Sequence, residues 1–299
     1  ITYAKSLNKK IYLTINIYPH NKKLNYFLEI LDELISLKPS AFIVSDPGII
    51  HLIREKYSPK EVELHLSVQQ NTVNWASARF WKTQGIKRII LARELTYPEV
   101  KEITSKNPDM VFEYFIHGAN CIAYRGRCLL SHYLANRDAN QGVCAQSCRW
   151  SYKVLRKDNN SASCPSLTDS RADFLSLQQN PETYTQPEGE FLLEENLRPN
   201  QYHEISEDSN GTYIMNARDT CLIDYLPELL SSGVCSLKIE GRNKSEYYAA
   251  ITAKAYRQAI DDLYNNTQPN TQELLNELQS AGNRGFTTGF FMGDQKEHA

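Results

Sequence analysis

Four of the seven cysteines in this 299-residue chain lie within one short stretch, as Cys121, Cys128, Cys144 and Cys148, a C-x6-C-x15-C-x3-C array. Arg125, Arg127, Arg137, Arg149 and Lys153 run through and just past the same stretch, interleaved with Tyr124, Tyr133, Trp150 and Tyr152. Thiolates in a basic, aromatic collar point to a metal or redox centre beside an anionic partner. Four thiolates can close a tetrahedral zinc site or hold the four irons of a cubane cluster. Zinc ribbons draw their ligands from two short knuckles, and only Cys144 and Cys148 approach that spacing. The irregular intervals therefore favour a cluster over zinc, and over cysteines that merely fill a core. Gly118, Gly126 and Gly142 each precede a cysteine by two or three residues and would let the backbone turn close to a cluster. Cys164 lies apart from the array.

The collar has a reading of its own. Arg125, Arg127 and Arg149 can neutralise phosphates while Trp150 and Tyr152 stack on an unpaired base, which makes them candidate RNA-binding residues. The same cations could instead pair with carboxylates such as Asp138 or Glu113, or hold a small anion. Further polar residues sit where strands are expected to end: His65 and Gln69, Arg93 and Glu94, Glu113 and His117, and Lys238, Glu240 and Arg242. Arg93, Lys238, Glu240 and Arg242 are candidates for binding a small carboxylate substrate. Glu113 and His117 are candidates for orienting reacting groups or moving a proton. Neither H-E-x-x-H nor G-x-S-x-G occurs, so a zincin or a serine hydrolase is not indicated. A Cys121–His117 dyad would leave the other three clustered cysteines without a role.

Alternating strand and helix patterns must position these groups. β-branched and aromatic runs predict strands at 10–18, 41–45, 62–69, 87–92 and 110–117. Helical spacing from Leu24, a helix opening at Pro47, and helices over 72–84 and about 97–106 separate them. After the cysteines, 211–216 and 234–241 read as strands and 224–232 and 245–264 as helices. Strands separated by helices of this length imply βα units and a parallel sheet. The fold class expected is α/β, a (β/α) TIM-barrel-like architecture with an open doubly wound sheet as the alternative. No G-x-G-x-x-G follows a strand. The count falls short of eight units, as if an N-terminal βα segment were lacking. The organisation read from the pattern is 1–156 as barrel units plus the cysteine segment, 157–210 as a polar insertion or flexible loop, and 211–299 as the remaining units with a helical end.

Composition adds little beyond this. The chain is 41% hydrophobic and 23% charged with a net charge of −2, so any nucleic-acid contact needs a local patch. No apolar run approaches the roughly 20 residues of a membrane helix, and the first residues do not form a signal peptide. A cytoplasmic address is expected, where clustered cysteines are more often metal ligands than disulfides.

The residues then become recognisable. Glu113, Phe115, Gly118 and Cys121, followed by Gly126, Arg127, Cys128, Leu130 and Ser131, resemble the signature of the collagenase-like peptidase family of U-type catalytic class. Arg125 stands where serine is common in that family. YIMNARDTCLI (213–223), SLKIEGRNKSEYYAA (236–250) and NRGFTTGFF (283–291) resemble further blocks. The likeness spans nearly all of the chain except 157–190. It implies a longer parent, with an L-x-A-P-A-G segment in front and a small β domain behind. The C-R-W-x-Y and N-x-R-D-x-C-L-I runs are most similar to prephenate-dependent tRNA uridine hydroxylases within the family. That resemblance implies a four-iron four-sulfur cluster on Cys121, Cys128, Cys144 and Cys148, with Cys221 as the reserve ligand. It also implies prephenate as a dicarboxylate co-substrate, with Arg93, Lys238 and Arg242 as its candidate partners, and the anticodon loop of tRNA as the macromolecular partner. A true peptidase, a non-catalytic iron–sulfur partner in a hydroxylation complex, and an rRNA hydroxylase are the alternatives. Oligomeric state is open.

Overall fold

The computed structural model describes residues 1–149, 218–242 and 244–293, and the backbone of four strands within 151–213. By internal contacts the chain divides into two units, Ile1–Ser147 with Ala217–Ala299, and Cys148–Asn216.

The first unit is built on a sheet in which strands β1 (Tyr12–Ile15), β2 (Ala41–Val44), β3 (Leu64–Leu66), β4 (Ile86–Ile90) and β5 (Val111–Ala119) lie side by side in chain order, all parallel. Helices Asn21–Ser36, Pro47–Lys56, Trp75–Thr83 and Tyr97–Ser105 make the crossovers. Their starts are written locally. Asp46 and Asn74 accept N–H bonds from Ile49 and Ser77, and the Glu99 carboxylate receives both the backbone N–H and the hydroxyl of Thr96. Each satisfies donors that a helix N-terminus would otherwise leave open.

Strand period places side chains on two faces. Phe42, Val44, Leu64, Leu66, Ile89, Leu91, Phe112, Tyr114 and Ile116 enter the large core beneath the helices. Ile43, Ile90 and Phe115 form a second, smaller cluster on the opposite face with Val68, and Tyr12 packs against it. That second face also carries charge, and the site is built from it.

Beyond β5 the order changes. The later strands in this unit are β10 (Asp219–Cys221), β11 (Ser236–Ile239) and β12 (Phe286–Thr287). β11 is parallel to β5 with a register shift between Lys238 and Ile239, whereas β10 runs antiparallel to the last residues of β5 and parallel to β12. The observed class is thus α/β with a mainly parallel sheet. Among the described residues no pairing joins β1 to the far side of that sheet. Helix Glu246–Tyr264, capped by Ser245, and helix Thr271–Ser280, capped by Asn270, complete the unit.

The second unit holds β6 (Ser151–Tyr152), β7 (Phe191–Glu194), β8 (Tyr202–Asp208) and β9 (Gly211–Tyr213), an antiparallel sheet in the order β6-β9-β8-β7. Residues 157–210, read from sequence as an insertion or loop, therefore include two strands. Their short β-prone runs are diluted by flanking Pro, Asn and Glu, which hid the signal. The segment 211–216, expected as a barrel strand, supplies β9 of this sheet over its first three residues; 214–216 lie outside the described residues. No helix among the described residues is long and apolar enough to cross a membrane.

Candidate functional site

Because β1 to β5 and β11 all run one way, the residues that follow them meet at one edge of the sheet, the carboxyl edge where α/β folds bind ligands. The cysteine segment leaves β5 at this edge and is tied down across it. Tyr18, beyond β1, donates its backbone N–H to the Asn140 carbonyl at 3.1 Å and its hydroxyl to the Gln69 carbonyl at 2.8 Å. Asn71, beyond β3, donates to the Arg125 carbonyl at 2.9 Å, and Gln141 donates to the Tyr18 carbonyl. Gly126 permits a close approach: with φ +75, a Cβ there would stand 2.9 Å from the Tyr18 ring. Within the segment, the Ser131 hydroxyl donates to the Arg137 carbonyl at 2.6 Å and accepts from Ala145 N–H at 2.8 Å.

Cys121 and Cys144 are exposed thiols and Cys128 is half-buried; Cys148, also half-buried, belongs to the second unit. The Gln146 N–H points at the Cys144 sulfur at 3.3 Å, the kind of amide donor that iron–sulfur ligands receive. The donor set thus fits a cluster in kind. In arrangement, no three His, Cys, Asp or Glu side chains among the described residues are gathered to hold a metal ion. Cys221, the reserve ligand, is buried under the sheet, where burial raises its thiol pKa and Tyr256 Oη lies 3.6 Å from its sulfur.

Glu113 occupies the second face of the sheet, 5% exposed, and both its oxygens are engaged. Lys238 Nζ donates to Oε1 at 2.7 Å, and Arg88 Nη1 and Ser236 Oγ donate to Oε2 at 3.0 and 2.9 Å. Burial alone would raise its pKa. The Lys238 charge and the bonds from Lys238, Ser236 and Arg88 outweigh burial and hold the carboxyl below its ordinary value. Glu113 is therefore a carboxylate that organises cations, and Lys238 is committed to it.

His117 faces a different group. Its Nδ1 lies 3.3 Å from Tyr256 Oη, with the Tyr248, Tyr256 and Phe286 rings around it. Burial is the main cause that pushes its pKa down to about 4, so the ring is neutral near pH 7. Tyr256 Oη accepts from Leu222 N–H at 3.1 Å and donates to the Ile116 carbonyl at 2.9 Å, which ties β10 and β5 to the long helix. The structure thus separates Glu113 and His117 into two hydrogen-bonded groups.

Arg93, just past β4, is 8% exposed and lies with its guanidinium carbon 3.7 Å from the centre of the Phe115 ring. Its Nη1 donates to the Ala119 carbonyl, while Nε and Nη2 are buried without a partner among the described residues. Burial foremost, then the nearby Arg125 charge, push its pKa down to about 9. Glu94 beside it is raised by burial. Arg125 is half-buried, its own Nε unpartnered among the described residues, whereas Arg127 and Arg242 are exposed. Glu240 accepts the Arg242 backbone N–H at 3.2 Å and gives its own N–H to the His117 carbonyl at 2.9 Å. Gly118 permits this join: at φ +112, a Cβ there would meet the Glu240 carbonyl oxygen at 2.5 Å. Trp150 and the side chains of Arg149 and Tyr152 lie outside the described residues.

Sequence reasoning missed Arg88 and Ser236, the other two donors to Glu113, and Tyr18 and Asn71, which fasten the cysteine segment. Arg88 had a partial signal: strand alternation in IKRII puts it on the face opposite Lys87, where a half-buried charge calls for a partner.

Comparison with known proteins follows from these features. Residues 1–299 match Peptidase family U32. The chain is 43% identical over 295 residues to the tRNA hydroxylation protein P of Haemophilus influenzae, covering 97% of this chain and 63% of that protein. It is 43% identical over 290 residues to the tRNA hydroxylation protein P of Escherichia coli, at the same two coverages. A 23S rRNA 5-hydroxycytidine synthase of Escherichia coli is 28% identical over 261 residues, 87% of this chain and 32% of that protein. The chain thus spans about 63% of the length of the first two relatives.

Proposed function

This chain belongs to peptidase family U32, and on that premise we propose that it is a cytoplasmic tRNA-modifying protein that hydroxylates the wobble uridine to 5-hydroxyuridine with prephenate as co-substrate. The observation that carries this reading is the 43% identity to proteins named for tRNA hydroxylation, sustained over 97% of the chain. The six parallel strands are in keeping with a TIM-like barrel whose mouth is the carboxyl edge.

Cys121, Cys128, Cys144 and Cys148 would hold a four-iron four-sulfur cluster. When bound, it would supply electron transfer or a Lewis-acidic iron. The chain's own residues have separate tasks. Tyr18, Gln69 and Asn71 hold the cysteine segment across the strand ends, and Glu113 keeps Lys238 and Arg88 in fixed positions. Exposed Tyr124 and Arg127 offer a stacking face and a phosphate contact to a splayed anticodon base. His117, neutral and engaged with Tyr256, supports β5 rather than serving as the base of a Cys121 dyad, which disfavours proteolysis.

Nucleoside mass spectrometry of tRNA from a deletion strain tests the substrate: wobble 5-hydroxyuridine should vanish, return with the wild-type gene and stay absent with Cys128→Ala. Unchanged 5-hydroxyuridine in the deletion strain overturns the proposal. Iron and sulfide analysis of anaerobically purified protein tests the cluster, which an iron-free, fully active protein would reject.

A further inference from the structure

A buried guanidinium at the strand edge keeps two donors open among the described residues. Arg93 is 8% exposed, stacks on Phe115 and spends one N–H group on the Ala119 carbonyl, leaving Nε and Nη2 without acceptors among the described residues. Arg125 stands near enough to depress its charge and also keeps an unpartnered Nε. Neither arginine forms an ion pair among the described residues. Glu240, Cys121 and Glu94 offset part of the repulsion between the two cations, but among the described residues none bonds to Nε or Nη2, and each orphaned buried N–H is costly to hold. An oxyanion that accepts from these donors would remove that cost.

We propose that Arg93 and Arg125 form a clamp for a carboxylate of a small-molecule ligand, with Arg93 as its main donor. This rests on the co-substrate reading above and narrows it to particular residues. Nε and Nη2 lie on one edge of the planar guanidinium, the edge that matches a carboxylate's two oxygens. The Phe115 ring covers one face of the group, so the ligand approaches in its plane. Lys238, the other basic side chain at Phe115, 5.5 Å from the ring centre, is engaged by Glu113.

Calorimetric titration of the full-length protein with prephenate, malonate and inorganic phosphate tests the clamp, using wild type, Arg93→Lys, Arg93→Gln and Arg125→Gln, with thermal melts to establish folding. The expected result is prephenate binding by wild type that weakens about 10- to 100-fold in both Arg93 variants and less in Arg125→Gln. Arg93→Lys retains the charge and loses the fork, so its loss separates a bidentate clamp from a general positive field. Malonate binding that depends on Arg93, without prephenate binding, keeps the clamp and removes the co-substrate reading. Equal prephenate binding by all folded variants removes the clamp and keeps that reading. Arg93-dependent binding of phosphate alone, or no binding of any of the three anions by wild type, overturns the clamp.

Discussion

Replacing Glu113 by glutamine isolates its electrostatic role, because the amide keeps the shape and removes the charge. Lys238 and Arg88 each lose their carboxylate partner, and one of them must face an amide N–H in place of an oxygen. Removing one member of a buried ion pair costs about 3–5 kcal/mol. Arg88 and Lys238 retain 17% and 27% side-chain exposure, so water relieves part of the loss and the lower end, about 3 kcal/mol, is expected. That is roughly a 100-fold fall in the folding constant, read as a lower urea midpoint at unchanged slope. The pH dependence follows from the depressed pKa of Glu113. A carboxyl held below its unfolded value stabilises the fold above that value, about 4.3, and loses the contribution as pH falls through the folded pKa. The gap between wild type and Glu113→Gln should therefore stay constant from pH 8 to about 5 and close only in acid. Adding Lys238→Met should recover part of the loss. A gap under about 1 kcal/mol at pH 7, or one that closes between pH 7 and 5, would refute the reasoning and mark Glu113 as a proton-transfer group.

Two further outcomes test the surroundings of the site. His117, neutral in the fold with a pKa of about 4, favours the unfolded chain once that chain protonates. Wild-type stability should hold above pH 6.5 and fall by up to about 3 kcal/mol as pH drops from there to 4. Urea midpoints across that window should show a flatter profile for His117→Gln, with the contribution of buried His65, whose pKa burial also lowers, remaining; an unchanged slope would contradict the assignment. Gly118→Ala drives a Cβ to 2.5 Å from the Glu240 carbonyl oxygen at a φ of +112. It should cost about 3 kcal/mol or more and loosen the start of the cysteine segment, detected as faster limited proteolysis at 119–130; wild-type resistance there would show that the strand ends can part without cost.

The residue order alone disclosed the parallel sheet, because Phe42, Leu64, Ile89 and Phe112 lie in β-prone runs separated by helices whose caps are local. Asp46, Asn74 and Thr96 bond within three residues of themselves, so no tertiary information was needed to find those starts. The cysteine array was equally plain, since its spacing is covalent. β10 was harder: three residues long, it depends on antiparallel pairing with β5 about a hundred residues away and has no pattern of its own. The same holds for β7 and β8, whose pairing partners are set only in the folded chain.

Sequence named Glu113 and His117 as candidates for moving a proton and Arg93 and Lys238 as candidates for binding a carboxylate, all as polar strand-end groups. Three-dimensional packing separated them: Glu113 became a charged brace for Lys238, His117 a neutral support beneath Tyr256, and Arg93 a buried cation with open donors. That division follows from burial and from partners such as Arg88, Ser236 and Tyr256, and neither is a property of spacing along the chain. A side chain's type says which protons it can hold, whereas its solvation and neighbours decide whether it holds them.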